Sequence, residues 1–165
     1  MGEHNKRSGS GFVRCRLPWA NAGVTTFKMQ NDLEKLGWRL EFDDSFIGHV
    51  GGLWLRELGE QRQFAFIAQE MHSNRNGVVH GGMLMTFTDR AMGQTARLTA
   101  MATRSATISI AHQFLAPVKI GDVVEIAPQI TKVTARLVFV TGTAFVGDTP
   151  VASAQGVFRV SHSAP

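Results

Sequence analysis

The chain has 165 residues, 44% of them hydrophobic and 18% charged, enough for one well-packed core and too few for two ordinary domains. A single cysteine excludes an internal disulfide framework, and no apolar run is long enough to span a bilayer, so a cytosolic setting without a membrane partner is expected. The net charge of +4 comes from scattered basic residues, without a dense block or interleaved aromatic platform, which weighs against a nucleic-acid partner.

Met1 to Gly11 is polar and lacks the apolar middle of a secretory signal; it reads as a tail. Thr26 to Leu36 has neither Gly nor Pro and repeats its apolar residues at helical spacing until Gly37, which predicts a short helix. Gly52 to Leu58 and Arg62 to Ala68, separated by Gly59-Glu60-Gln61, read as a hairpin. From Gly81 to Met101 there is no proline, and this is the one long helix expected. Met83, Leu84, Phe87, Ala91 and Leu98 would cover one side, with Met85, Met92, Ala96 and Ala100 across from them, so most of its surface should be buried. Four strands follow, over Thr107–Phe114, Val123–Val133, Leu137–Val146 and Val151–Val160. The order β-β-α-β-β-β-β predicts an α+β fold, an antiparallel sheet wrapped around one helix.

The chemistry gathers at the start of that helix. Gly81 and Gly82 would place backbone N–H groups without intrahelical partners where the helix dipole favours negative charge, and neither carries a side chain to keep a substrate carbonyl away. A tight turn alone would also explain a Gly-Gly pair. Asp89 has Met85, Thr86, Met92 and Gly93 as its helical neighbours, so no cation on its own helix neutralises it. Such a carboxylate either pairs with a distant arginine or performs acid–base or nucleophilic work. Asn74 offers donors and an acceptor to a water or a carbonyl, and His80 is suited to orienting the loop. The spacing of His72, His80 and Asp89 matches no metal-ligand signature, and no metal is expected. Eight residues along a helix rise roughly 12 Å, whereas a reacting atom sits about 3 Å from both oxyanion donor and base. If Gly81 and Asp89 act on one substrate, they must come from two subunits, which predicts an obligate dimer with two composite sites.

The run Asn74-x-x-Gly77-x-x-His80-Gly81-Gly82, followed by Asp89, resembles the hotdog-fold thioesterases of the phenylacetate-pathway (PaaI-like) type. The resemblance extends over about Phe46 to Val160, with Thr107 where that family carries a serine or threonine, and Phe114-Leu115-Ala116-Pro117 through Gly121-Asp122 beyond it. It implies a hotdog domain over 41–162 behind a partly mobile N-terminal extension, 1–40, with a short helix. It also implies hydrolysis of an acyl-CoA thioester, with coenzyme A as part of the substrate and no separate cofactor. In that reading Asp89 is base or nucleophile, the Gly81 amide binds the thioester oxygen, Asn74 positions water or carbonyl, and Thr107 supports the water. Gly77 and Gly82 complete the motif, while Met83, Phe87 and Met92 would line the acyl pocket. The Gly-Arg or Gly-Lys pair often found between later strands of the family is Ala135-Arg136 here, which makes Arg136 a candidate phosphate contact. Sites shared across a homodimer, and dimers pairing into tetramers, belong to the same expectation.

Two other readings remain open. A non-catalytic acyl-CoA sensor or scaffold would have no use for a carboxylate facing a thioester. A hotdog hydratase would need a histidine paired with an acid near a β-hydroxyacyl chain. Trp19 and Trp38, before the domain, would cap the acyl pocket, extend the dimer, or pack on the sheet, the last being the commonest use of such residues.

Overall fold

One helix organises the molecule. The computed structural model describes residues 26–162, and in it α3 runs from Gly81 to Thr99. It stops two residues short of the expected end because Met101 adopts a left-handed conformation (φ 50°). Its N–H reaches Leu98 O at 3.1 Å while the Ala102 N–H reaches Arg97 O at 2.9 Å, the paired bonds of a Schellman ending.

Before α3 come α1 (Thr26–Lys35), β1 (Arg39–Glu41), α2 (Phe46–His49), β2 (Leu53–Leu58), β3 (Gln61–Ile67) and a 3-10 turn at Glu70–His72. After it come β4 (Arg104–Phe114), β5 (Val123–Ile126), β6 (Gln129–Val133), β7 (Leu137–Val146) and β8 (Thr149–Ser161). The strands form one antiparallel sheet in the order β1-β2-β3-β5-β7-β8-β4, with β6 beside β7. This is the hotdog arrangement, and none of its described helices is long and apolar enough to cross a membrane.

Three differences from the sequence reading have physical causes. β1 and α2 are three and four residues long, too short to show a periodicity. The strand expected over Val123–Val133 is two strands bent at Ala127-Pro128, where proline has no N–H to give the ladder. Both halves pair with β7, at Ile126↔Ala144 and Gln129↔Thr141, and Gly142 faces the bend; a Cβ there would stand 2.8 Å from Ile126 Cδ1. Finally, α3 is not apolar-buried all round. Gly82 and Met85 are exposed and Thr86, Asp89, Arg90, Gly93 and Arg97 half-buried, an open strip along one side.

The sheet is covered on both faces at β2, β3 and β5, which is why these strands read as continuous apolar runs. Their inner residues Leu53, Leu55, Phe64, Phe66, Val124 and Ile126 pack on Phe87 and Leu84 of α3. The outer residues Trp54, Ala65, Ile67 and Val123 pack under Met29 and Leu33 of α1 and under Trp38. Trp38 therefore packs on the sheet; Trp19 lies outside the described residues. A second inner cluster joins Met92 and Ala96 to Val138, Val140 and Phe158.

Candidate active site

The loop before α3 is pinned by its own backbone. His72 is buried, its Nδ1 accepting from the Gln69 N–H at 3.0 Å and its Nε2 donating to Val50 O at 2.9 Å, so both nitrogens are engaged in holding the chain. The Asn74 N–H donates to Val78 O at 2.8 Å, and Gly77 closes the turn with φ 73°, donating to Asn74 O at 3.0 Å. A side chain at Gly77 would meet open space, so it is the backbone conformation that calls for glycine there. Asn74 Oδ1 accepts from the Asn76 N–H at 2.8 Å and the Val78 N–H at 3.5 Å. Its Nδ2 has no hydrogen-bond partner among the described residues, so the donor end of the amide is open.

His80 is the N-cap of α3, and its Nδ1 accepts from the Gly82 N–H at 2.8 Å, which fixes the ring proton on Nε2. One consequence concerns the glycine pair. The Gly82 amide is taken by His80, whereas the Gly81 N–H has no partner among the described residues. Gly81 and Asn74 share a cleft of about 440 Å³ with Val79, Leu84 and the segment from Phe114 to Val118.

Eight residues further along, Asp89 Oδ1 accepts from Thr107 Oγ1 at 2.7 Å. β4 runs antiparallel along α3: Ser105 Oγ donates to Gly93 O at 3.0 Å, Thr107 meets Asp89, and Phe114 lies on Gly81. A Cβ added to Gly81 would stand 2.9 Å from the Phe114 ring. Between Thr107 and Ser109 the pairing with β8 slips by one residue, leaving Ile108 as a bulge.

The sequence-predicted residues thus fall into three groups. Asn74 and Gly81 meet at one cleft, with His80 ordering it; Asp89 and Thr107 meet at a second place two turns along the helix. Met83, Phe87 and Met92 are brought to neither, because their side chains are 6%, 0% and 0% exposed and fill the core. Arg136 is exposed on the turn between β6 and β7, its carbonyl accepting from Val160 N at 2.9 Å. Two residues were missed, Phe114 and His112, whose rings pack 4.6 Å apart at 49°. Strict alternation along β4 puts both on the face opposite Thr107, and only the bulge at Ile108, which a sequence does not announce, brings them round to the Thr107 face beside α3.

The family model of the thioesterase superfamily matches residues 76–153. Two proteins named “putative esterase” are similar: one of Pseudomonas aeruginosa, 30% identical over 61% of this chain and 77% of its own length, and one of Caenorhabditis elegans, 38% identical over 44% of this chain. The chain spans 43% of the length of the nematode relative. Among solved structures, a conserved protein of P. aeruginosa superposes with a TM-score of 0.64 at 25% identity, covering 70% of this chain and 94% of that one. A mutant of the phenylacetic acid degradation protein of Thermus thermophilus gives 0.63 at 19%, covering 71% and 99%. A hypothetical thioesterase of Streptococcus pneumoniae, solved with coenzyme A, gives 0.62 at 15%, covering 77% and 99%. By its match to the family model and to a relative covered over most of its length, this chain belongs to the thioesterase superfamily.

Proposed function

We propose that the protein hydrolyses acyl-CoA thioesters at two equivalent sites, each built from two copies of the chain. The observation that carries this reading is the division of the chemistry along α3: an unclaimed Gly81 N–H beside Asn74 at one end, and the Asp89–Thr107 pair two turns away on the same open strip. Membership of the thioesterase superfamily and the neighbour solved with coenzyme A support the choice of substrate.

The sheet edge supplies a means of joining the halves. Among the described residues β4 has β8 as its neighbour on one side and an open ladder on the other, and Ile108 and Phe114 on it are 58% and 54% exposed. Antiparallel pairing of β4 with its own copy about an axis at Ala111 sets Phe114 opposite the Thr107–Ile108 bulge of the second copy. Gly81 of one chain then faces Asp89 of the other.

In such a site the thioester oxygen accepts from the Gly81 N–H, with Asn74 Nδ2 as a second donor, where charge develops as the carbonyl becomes tetrahedral. Thr107 holds one carboxylate oxygen of Asp89 and leaves the other to take a proton from water, which attacks the carbonyl; collapse expels the coenzyme A thiolate. Direct attack by Asp89 would pass through an anhydride, and oxygen-18 label from water in the carboxylate of Asp89 after one turnover separates the two. Arg136 stands at the Ser105 end of the sheet, through Val160, and would approach the coenzyme from the Asp89 side.

The test is thiol release from phenylacetyl-, benzoyl-, hexanoyl- and lauroyl-CoA. Turnover lost in Asp89→Asn and in Asn74→Ala, but restored to about a quarter of the parent rate when the two are unfolded and refolded together, is the result expected of shared sites. Half of the pairs are then mixed, and each mixed pair carries one intact site. No restoration would place each site within one chain, and binding of the esters without turnover would make the protein a sensor or scaffold. Light scattering of the parent reads whether dimers pair further.

A further inference from the structure

His112 is a half-buried polar side chain whose ring nitrogens are left without a well-formed hydrogen bond. It points from β4 toward α3, between Ile110, which packs on the Met92 cluster, and Phe114, which lies on Gly81. Both its ring nitrogens are buried and neither makes a hydrogen bond. The Leu84 backbone lies near enough to favour the charged ring slightly, but burial outweighs it and holds the imidazole below its usual value, hence neutral at physiological pH. Buried polar groups are nearly always paired, so an imidazole left without a partner beside a cleft points to a group that arrives from outside. The second copy would not supply it, since pairing about Ala111 sets Ile110 opposite His112. What covers the ring is Phe114, itself 54% exposed in the single chain.

We propose that His112 is a specificity-determining residue that pairs with an oxygen on the acyl group, selecting acyl chains with a hydroxyl near the thioester, such as 3-hydroxyacyl groups, over plain ones. This rests on the thioesterase reading for the position of the substrate. The Phe114 ring lies against Gly81 and lines the cleft at which the thioester carbonyl would be held, so it is the one side chain between that cleft and His112, and a turn of the ring would join the two. Two residues along a strand span roughly 6.7 Å, and the oxygen on the third carbon of an acyl chain, a few bonds from the carbonyl, comes within hydrogen-bond reach over that distance. A neutral imidazole has one donor and one acceptor nitrogen, which suits a hydroxyl in either role.

The experiment compares kcat/KM for 3-hydroxyhexanoyl-CoA and hexanoyl-CoA in the parent, His112→Leu and His112→Gln, with a thermal melt of each. The parent should favour the hydroxy ester about tenfold, the worth of one hydrogen bond, with the ratio falling to about one in His112→Leu and partly recovered in His112→Gln. A parent ratio near one, or a ratio kept in His112→Leu, overturns the proposal and leaves His112 a packing residue. If the parent turns over neither ester, the thioesterase reading fails by itself. Calorimetric titration with the same two esters then decides, and equal or absent binding overturns the role of His112.

Discussion

Two carboxylates on opposite faces of the sheet show what makes such a group useful. Asp89 sits on the open strip of α3, held through one oxygen by Thr107. Glu125 lies on the outer face of β5, 8% exposed, between Ala65 of β3 and Phe145 of β7. The charge that acts on it is Arg56, which donates to Gln63 and stacks 4.5 Å over the Trp38 ring. Burial pushes the Glu125 carboxyl up to about 7, with Arg56 working against it. Perturbed titration is often taken as the mark of a functional site, yet here it marks a carboxyl sealed beneath packing. The group placed for chemistry is the one with a free oxygen, a fixed orientation and a route to solvent.

The sharpest way to break this contrast is to neutralise each in turn. Asp89→Asn should lower thioester turnover by about a hundredfold or more with the melting temperature little changed, while Glu125→Gln should leave turnover within about twofold. Equal losses in the two variants would end the distinction. The next largest effect is on stability. Below pH 4.5 Glu125 is protonated in both folded and unfolded chains; as pH rises toward 7 the unfolded chain ionises first, so stability falls across that window and levels above it. The fall amounts to about 3 kcal/mol, and Glu125→Gln should remove it, read as urea midpoints of parent and variant at pH 4.5, 6 and 8. A smaller change is expected from Thr107→Val, which frees the second oxygen of Asp89 and should lower kcat about tenfold with KM little altered. Smallest is His80→Ala, which removes the cap on Gly82 and should cost about 1 kcal/mol, or about 2–4 °C in a thermal melt.

Much of this was readable before any coordinates. Helical spacing and the absence of proline located α1 and α3, and alternation with turn residues located the hairpin and β7 to within a residue or two. The local motif from Asn74 to Gly81 was legible because its work is local: a turn closed by Gly77 and a cap supplied by His80 depend on neighbours a few residues away. What the pattern of α3 could not reveal was which apolar side meets the sheet. Met83, Phe87 and Met92 were expected to line a pocket on the thioesterase reading, and the packing of Phe66, Ile126 and Phe158 around α3 makes them core. His112 was invisible for a related reason. Its significance lies in a missing partner, and partners across strands are a property of register.

The position of β4 in the sheet has a consequence for the life of the chain before it is folded. Within the described residues β4 pairs with β8 alone, and the two are separated in sequence by β5, β6 and β7. Thr107 is held in register by Phe158, near the end of the described chain, so the pocket around Asp89 is assembled from contacts of long sequence separation. During synthesis α3 emerges well before the strand that completes its neighbour. A nascent chain would therefore carry its carboxylate for some time without the hydroxyl that aims it, and would become competent only when its last strand closes the sheet.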